Sequence, residues 1–244
     1  MAKKIRLDQL ILQKGLVQSR EKAKAMIMAG CAEVDGIKAD KPGRLVSPLA
    51  SVVLKNRALP YVSRGGLKLE AALEHFPVKI EGKTIIDVGA STGGFTDCLL
   101  KYGAKRVIAV DVGYGQFAWK LRQNQQVRLL ERTNIRYLKS KDINETIEGA
   151  VIDVSFISLC LVVPPVSDLL TQQSFIIALI KPQFEVGKGK VGKGGVVRDK
   201  KQHTEVIDKL TTFFKGIGWK PQGCIPSPIL GPKGNREFMI YLVR

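Results

Sequence analysis

The chain has 244 residues, of which 45% are hydrophobic, so it can bury one large core or two smaller ones. Lysines and arginines exceed acidic residues by 17, and such a surplus predicts a polyanionic partner, either nucleic acid or an acidic membrane surface. Four scattered cysteines without a C-x-x-C pair, and only two histidines, argue against a zinc site and favour reduced thiols. The longest uncharged stretch, 154–167, is broken by Pro164-Pro165 and too short to span a bilayer. The first residues do not resemble a secretory signal, so we expect a cytoplasmic protein.

The first sixty residues predict a small α+β module. Apolar spacing predicts a helix over 6–17, and Ser19 is suited to cap a second helix that stops at Gly30. Asp35-Gly36 predicts a hairpin turn between two short strands, and the run 51–55 predicts a further strand. Two helices followed by a small sheet therefore make up the predicted module.

This module carries the highest density of positive charge in the chain. Residues 1–60 contain 12 lysines and arginines against 5 acidic residues. Its element order and the runs Arg-Leu-Asp (6–8) and Ser-Arg-Glu-Lys-Ala (19–23) resemble a small RNA-binding domain of ribosomal proteins and pseudouridine synthases. A solvated helix face would also be basic, but the resemblance favours phosphate contacts. The residues expected to bind RNA are Arg6, Arg20, Lys22, Lys24 and Arg64.

A short linker, 57–60, separates the module from the rest of the chain. Pro60 restricts the residue before it to extended geometry, which makes the joint stiff. We therefore predict two domains, 1–60 and 61–244. A helix follows over 67–76. Lys68 falls at its start, where the positive end of the helix dipole disfavours a lysine, and this hints at a functional role.

The segment 84–96 predicts a strand, a glycine-rich turn and the start of a helix. Its spacing, Gly89-x-x-x-Gly93-Gly94, does not fit the dinucleotide fingerprint G-x-G-x-x-G. The turn also has no lysine, which excludes a Walker loop. Glycines in such a turn let the backbone approach a ligand closely, so a ligand site is expected here.

The remaining pattern alternates apolar strands with helices. Strands are predicted over 106–110, 127–130, 150–152, 174–180, 219–225 and 238–243, and helices over 116–124 and 199–216. The last two strands form a hairpin, which predicts an α/β fold with a mixed seven-stranded sheet. The glycine- and lysine-rich run 187–195 imitates a Walker loop but has Gly194 where Ser or Thr must hold magnesium. We interpret it as a mobile basic loop over the substrate backbone or, equally, as a solvated loop.

The turn at 87–94 resembles that of S-adenosylmethionine-dependent methyltransferases, with Asp111 at the end of the next strand as the ribose-binding acid. A purely structural turn is the alternative. The resemblance implies a Rossmann-like class I methyltransferase domain. The cofactor contacts expected from it, with Asn134 near the adenine, are Asp87, Gly89, Ser91, Gly93, Asp111 and Asn134.

Six motifs stand in order along almost the whole chain, at 63–69, 87–96, 110–116, 153–159, 180–185 and 235–238. Together they resemble the TlyA family of ribosomal RNA 2′-O-methyltransferases, which are also labelled haemolysins. The resemblance implies an FtsJ-like catalytic domain, S-adenosylmethionine as cofactor, and ribosomal RNA and ribosomal subunits as partners, with cytidine as the modified nucleotide. It also implies a catalytic tetrad of Lys68, Asp153, Lys181 and Glu237.

Three other functions remain open at this point. A pore-forming haemolysin needs a secretion route and a membrane-spanning segment, and we find neither in the sequence. A non-catalytic RNA-binding or ribosome assembly factor needs no intact tetrad. A pseudouridine synthase shares the small module but needs a catalytic aspartate in a different fold.

Overall fold

The computed structural model describes residues 4–28, 30–54, 60–187, 189, 191–192 and 194–244. The chain forms two compact units, Met1–Pro60 and Tyr61–Arg244. Four sequence predictions fall partly outside the described residues. These are the end of the second helix at Ala29, the strand over 51–55 at Lys55, the linker at Arg57, Ala58 and Leu59, and the basic loop at Lys188, Lys190 and Lys193.

The N-terminal unit packs two helices on small antiparallel sheets. Its elements are β1 (Ile5–Arg6), α1 (Leu7–Gln13), α2 (Arg20–Met28), β2 (Ala32–Val34), β3 (Ile37–Ala39), β4 (Leu45–Val46) and β5 (Val52–Leu54). Strands β3, β2 and β5 form one sheet, and β1 pairs with β4. The predicted hairpin at Asp35-Gly36 is confirmed by the pairing of β2 with β3. The predicted cap is confirmed as well, because Ser19 Oγ accepts a hydrogen bond from the Lys22 amide.

The first helix ends earlier than the apolar pattern predicts. It stops at Gln13, and Gly15 adopts a left-handed φ of +66° just beyond it. A glycine in this conformation ends a helix without the steric cost that a Cβ would add. Leu7, Leu10 and Ile11 nevertheless form the buried stripe that their spacing predicts.

The C-terminal unit is a doubly wound α/β domain. Its elements are α3 (Gly65–His75), β6 (Thr84–Val88), α4 (Gly94–Lys101), β7 (Arg106–Val110), α5 (Trp119–Arg122), β8 (Val127–Leu130), α6 (Ser140–Ile143), β9 (Ile147–Ile152), α7 (Leu159–Ser167), β10 (Leu170–Ile180), α8 (Lys200–Gly216), β11 (Lys220–Pro226) and β12 (Phe238–Val243). The predicted cap of the last helix is confirmed, because the Asp199 side chain accepts a hydrogen bond from the Lys201 amide.

Seven strands form one mixed sheet in the order β11-β12-β10-β9-β6-β7-β8, which confirms the predicted fold class. Strands β10, β9, β6, β7 and β8 are parallel neighbours, and β12 is antiparallel to both β10 and β11. The chain runs from β6 outward to β8 and then returns to the other side of β6 with β9. Ligands in such sheets bind beyond the carboxyl ends of the strands at this reversal, here between β6, β7 and β9.

Helices cover both faces of this sheet. Successive residues of β6 alternate between the two layers, so Ile85 packs with α3 and α4 residues while Ile86 packs with α7 and α8 residues. All five residues of β6 are buried, as expected for a central parallel strand. No helix in the described parts of the chain has the length and apolarity needed to cross a membrane.

Two helices differ from the sequence prediction. The predicted helix over 116–124 is only the single turn α5, because the Gln116 side chain donates to Asp111 and the Ala118 amide donates to Thr92. Helix α7 was not predicted, since Pro164-Pro165 interrupt its sequence. Both prolines lie in the second half of this nine-residue helix, where each removes one backbone donor.

Candidate active site

The turn after β6 lies against the neighbouring strand ends. Gly89 has a φ of +83°, and a Cβ built on it would lie 2.6 Å from the carbonyl oxygen of Asp153. Its amide donates to the carbonyl oxygen of Val110 at 2.9 Å. Because no side chain fits there, the glycine lets the turn bridge the ends of β7 and β9.

A cavity of about 480 Å³ opens beside this turn, at the reversal of strand order. This volume lies in the range of small-molecule and cofactor sites. Four of the six predicted cofactor residues line it, namely Gly89, Ser91, Asp111 and Asn134. Its wall also includes Asp153 of the predicted tetrad. The cofactor turn and the predicted catalytic edge therefore border one cavity.

Asp111 connects two sides of the cavity rim. It follows β7, and its Oδ2 accepts a hydrogen bond from the Ser91 amide at 2.7 Å. Its Oδ1 accepts from the Gly113 amide at 2.6 Å and from Gln116 Nε2 at 3.1 Å. These donors hold a carboxylate at the strand end, as required of an acid that binds two sugar hydroxyls.

Asn134 follows β8 in the chain and also lines the cavity. Its side-chain oxygen accepts from the Arg136 amide at 3.1 Å and caps a single helical turn, Ile135–Tyr137. Asn134 is thus fixed as part of the wall rather than left free in solvent.

The other two predicted cofactor residues, Asp87 and Gly93, are not among the residues that line the cavity. Asp87 is fully buried in β6 and turned toward α4, where its Oδ2 accepts from Thr96 Oγ1 at 2.6 Å. Its Oδ1 has no hydrogen-bond partner among the described residues. Burial raises the pKa of Asp87 to about 7. Through its bond to Thr96, Asp87 joins β6 to α4, the two elements on either side of the glycine turn.

Gly93 has a packing role in the structure. It caps α4 with a φ of +91°, and a Cβ there would lie 2.5 Å from Leu121 Cδ1 and 3.0 Å from Phe117. The glycine thus allows close packing of α4 against the residues around α5.

Two lysine–carboxylate pairs lie at the carboxyl edge of the sheet. Lys181 Nζ is 2.6 Å from Asp153 Oδ1, and Lys68 Nζ donates to Glu237 Oε2 at 2.6 Å. The register of β10 with β12 pairs Ile180 with Phe238, so Lys181 and Glu237 leave adjacent strands at the same end. Each predicted lysine therefore has a predicted carboxylate as its partner.

Glycines bring Lys68 to this edge. The start of α3 packs directly on the start of α4. A Cβ built on Gly65 would lie 3.9 Å from the Cα of Gly94, which is an ordinary van der Waals contact. A Cβ on Gly94 would collide with Ser63 Oγ and come within 3.0 Å of the Gly66 amide. This close approach of two helix starts explains Gly65 and Gly94, whereas Gly66 leaves room for the Tyr61 ring. Helix α3 also contacts β12.

Loop 153–159 is fastened to the segment after β10. Phe156 and Phe184 pack with ring centroids 4.9 Å apart. Glu185 is buried and accepts from Ser158 Oγ at 2.6 Å and from the Leu159 amide at 2.8 Å. Burial raises the pKa of Glu185. These contacts fix the cavity wall relative to Lys181.

The sequence prediction missed several residues of the site. The clearest is Ser155, which lines the cavity and accepts a hydrogen bond from Lys181 Nζ at 2.8 Å. Gln116, Thr133 and Phe156 also line the cavity. Phe156 is 90% exposed and has a φ of +64°, which is rare for an aromatic residue. Ser155, Phe156 and Gln116 all stand inside motifs that the sequence singled out.

The predicted RNA-binding residues belong to both units. Arg6 and Arg20 both bond the buried Asp8, with their own side chains 43% and 37% exposed. Lys22 and Lys24 lie on α2, and Arg64 directly precedes α3 in the C-terminal unit. Arg6 donates to the two carboxylate oxygens of Asp8 through Nε and Nη2.

Family models match both units. Residues 61–244 match the FtsJ-like methyltransferase family, and residues 5–49 match the S4 domain. Among the described residues, no cluster of three or more His, Cys, Asp or Glu is arranged to hold a metal ion.

Similar proteins cover nearly the whole chain. YqxC of Bacillus subtilis (strain 168), a candidate rRNA methyltransferase, is 50% identical over 242 residues, which cover 99% of this chain and 86% of that protein. The 16S/23S rRNA (cytidine-2'-O)-methyltransferase TlyA of Mycobacterium tuberculosis (strain ATCC 25618 / H37Rv) is 42% identical over 243 residues, which cover 99% of this chain and 91% of TlyA.

A solved structure agrees with these relatives. A candidate hemolysin from Streptococcus thermophilus has a TM-score of 0.79 and 44% identity, and the match covers 100% of this chain and 90% of that one. With both family models and full-length relatives in agreement, the chain belongs to the TlyA family, whose members join an S4 domain to an FtsJ-like methyltransferase domain, and it is a methyltransferase.

Proposed function

We propose that this protein methylates the ribose 2′-hydroxyl of a cytidine in ribosomal RNA, with S-adenosylmethionine as the methyl donor. Lys181 forms an ion pair with Asp153, and Asp153 belongs to the wall of the cavity beside the glycine turn. The proposal rests on this observation. The name of the TlyA relative describes the same reaction for that protein.

The cavity suits the cofactor in three respects. Its volume of about 480 Å³ is sufficient, Gly89 leaves room where a Cβ would collide, and Asp111 offers a carboxylate to two ribose hydroxyls. We assign Gly89 and Ser91 to the turn around the cofactor and Asn134 to its adenine side. Asp87 and Gly93 support this turn through burial and packing.

When bound, the cofactor supplies a methyl group on a positively charged sulfur, which keeps the bonding electron pair as the methyl group leaves. The ribose oxygen that gains the methyl group must lose its proton. The ion pair with Asp153 holds Lys181 Nζ beside the cavity wall, and we assign this nitrogen to accept the proton as a neutral amine or to steer it as an ammonium group. The remaining task of the protein is to align the hydroxyl with the methyl carbon.

Lys68 and Glu237 complete the proposed tetrad. Their hydrogen bond is buried, and Glu237 leaves β12 beside the strand that carries Lys181. We propose that this pair orients Lys181 and the ribose. The Oε1 atom of Glu237 is buried beside Gly231 and has no hydrogen-bond partner among the described residues.

The N-terminal unit supplies the grip on RNA in this proposal. Arg6 and Arg20 share one buried carboxylate, so two guanidinium groups lie together with excess positive charge. Such a pair is complementary to a phosphodiester. We propose that Lys22, Lys24 and Arg64 add phosphate contacts, that ribosomal subunits are the natural partners, and that the enzyme acts in the cytoplasm.

Transfer of a labelled methyl group to ribosomes from cells that lack the enzyme tests this function. We expect incorporation with the wild-type protein and a loss of about 100- to 10,000-fold in Lys181→Ala. Lys220→Ala removes an exposed lysine at the start of β11 and serves as the matched control. Equal rates for wild type and Lys181→Ala would contradict the assignment.

The same preparations separate the two competing functions. A non-catalytic assembly factor would bind ribosomal RNA without incorporating label. A haemolysin, the label that the Streptococcus thermophilus relative carries, would release dye from liposomes when purified free of RNA. We expect incorporation of label and no release of dye.

A further inference from the structure

We propose that Ser155 is a positioning residue of the methyl transfer reaction, which sets the direction in which Lys181 Nζ meets the substrate hydroxyl. This inference rests on the proposed function and adds to the tetrad a residue that none of the sequence motifs assigns to it. Ser155 Oγ accepts a hydrogen bond from Lys181 Nζ at 2.8 Å and lines the cavity.

The amine nitrogen of Lys181 has tetrahedral geometry. One of the four directions around Lys181 Nζ is its bond to Cε. Ser155 Oγ, which accepts a hydrogen bond from Nζ at 2.8 Å, occupies a second. Asp153 Oδ1 lies 2.6 Å from Nζ as an ion-pair partner, but this contact does not have hydrogen-bond geometry. A substrate oxygen can take one of the two remaining directions.

A single anchor would not define that direction. With Asp153 alone, the amine could still rotate about the line that joins Nζ to the carboxylate oxygen. A second acceptor at a different place removes this rotation. Because proton transfer requires the accepting lone pair to point at the hydroxyl, Ser155 affects the step without touching the reacting atoms.

The structure holds Ser155 in place from both sides. Asp153, two residues earlier, is bound to Lys181, and the Phe156 ring packs on Phe184. Three residues later, Ser158 donates to the buried Glu185. The loop that carries Ser155 therefore contacts the segment that carries Lys181 at several points. These contacts hold the Ser155 hydroxyl at a fixed position relative to the Lys181 amine.

Lys181 has little freedom to find another partner. Its side chain is 9% exposed, and the other basic member of the proposed tetrad, Lys68, is engaged by Glu237. Removing the Ser155 hydroxyl thus leaves Asp153 as the one partner that the structure records for Nζ among the described residues.

The test compares Ser155→Ala with Ser155→Thr, which keeps the hydroxyl. Methyl transfer is measured under single-turnover conditions on undermodified ribosomes, and S-adenosylmethionine binding is measured by calorimetry. We expect Ser155→Ala to lower the rate constant about 10- to 100-fold, with the cofactor Kd and the KM for ribosomes within about threefold of wild type. Ser155→Thr should recover most of the rate.

A double variant distinguishes orientation of the lysine from a general structural role. If Ser155 acts through Lys181, adding Ser155→Ala to Lys181→Ala should cause no further loss. Ser158→Ala loosens the same loop without touching Lys181, so it should lower the melting temperature but reduce the rate less than Ser155→Ala does.

Three outcomes would overturn the inference while leaving the proposed function intact. These are a wild-type rate in Ser155→Ala, an equal loss of cofactor affinity in that variant, or additive losses in the double variant. A wild-type protein that binds the cofactor but transfers no methyl group would overturn the proposed function, and the role of Ser155 with it.

Discussion

The two lysine–carboxylate pairs of the C-terminal unit have the same chemistry but different surroundings. Glu237 has a fully buried side chain, and the Lys68 side chain bonded to it is 10% exposed. Asp153 is 21% exposed and belongs to the cavity wall, whereas Lys181, Glu237 and Lys68 are not among the residues that line the cavity. Lys181 also has a second partner, Ser155.

This difference indicates a division of labour. An enclosed pair is held rigid by desolvation, because separating its charges would leave one of them buried without a partner. A pair that reaches the cavity can exchange its contacts with a substrate. We therefore interpret Lys68–Glu237 as the pair that holds the tetrad rigid, and Lys181–Asp153 as the pair that contacts the ribose.

We expect the largest loss of stability when the buried Lys68–Glu237 pair is broken. Lys68→Ala leaves the Glu237 carboxylate buried and unpaired, which should lower the free energy of unfolding by about 3–5 kcal/mol. Lys181→Ala should cost only about 1–2 kcal/mol, because Asp153 remains partly solvated. Denaturant unfolding of both variants measures the difference.

A second substitution provides the control for this comparison. Adding Glu237→Gln to Lys68→Ala removes the stranded charge and should restore part of the lost stability. Equal losses in Lys68→Ala and Lys181→Ala, or no rescue by Glu237→Gln, would show that the two pairs do not differ in the way their burial indicates.

A smaller change in free energy, seen as a loss of cofactor affinity, is expected for a substitution at the cofactor side of the cavity. Asp111→Ala removes the carboxylate that joins the turn after β6 to the loop after β7, and we expect S-adenosylmethionine to bind about 10- to 100-fold more weakly. Calorimetry measures this change. Glu131→Ala is the matched control, since Glu131 also accepts an amide hydrogen bond but does not line the cavity. An unchanged Kd for Asp111→Ala would remove Asp111 from the site.

Asp87 extends the comparison to a buried carboxylate that has no lysine partner in the described structure. Burial raises its pKa to about 7 from 3.8, so the folded protein binds a proton that the unfolded chain has lost. Stability from this group is complete below about pH 4 and is lost as the pH rises through 7. The free energy of unfolding is therefore expected to fall by about 1 kcal/mol per pH unit between pH 5 and 6.

Asp87→Asn should remove this pH dependence of the free energy of unfolding. Thermal unfolding of wild type and variant between pH 5 and 8 measures it, with Asp208→Asn, an exposed change on α8, as the control. If the wild type and Asp87→Asn show parallel pH profiles, Asp87 is ionised throughout this range and the structural explanation is wrong.

Much of the fold follows from local sequence patterns. Apolar runs that end in Asp111, Asp153 and Lys181 mark parallel strands, and the order of the six motifs identifies the family before any geometry is known. Alternating strand and helix patterns are a short-range signal, and they specify the α/β class with its final hairpin.

The details that were missed depend on tertiary contacts. Helix α7 contains Pro164-Pro165, which disfavour a helix locally, but Ser158 and Glu185 cap its start from outside the helix. Asp87 lies on the face of β6 toward α4 and bonds Thr96, so its side chain is not among those that line the cavity. No local pattern distinguishes Ser155 from Ser158, because only the fold brings one of them to Lys181.

The most direct test of the central claim is the position of the methyl group on the product RNA. Ribosomal RNA methylated by the purified protein is hydrolysed in alkali, which requires a free 2′-hydroxyl at each cleaved bond, and the products are analysed by mass spectrometry. We predict one alkali-resistant dinucleotide that contains a methylated cytidine, present with wild type and absent with Lys181→Ala. A methyl group on a base, with complete alkaline cleavage at that nucleotide, would contradict ribose chemistry at the Lys181–Asp153 pair.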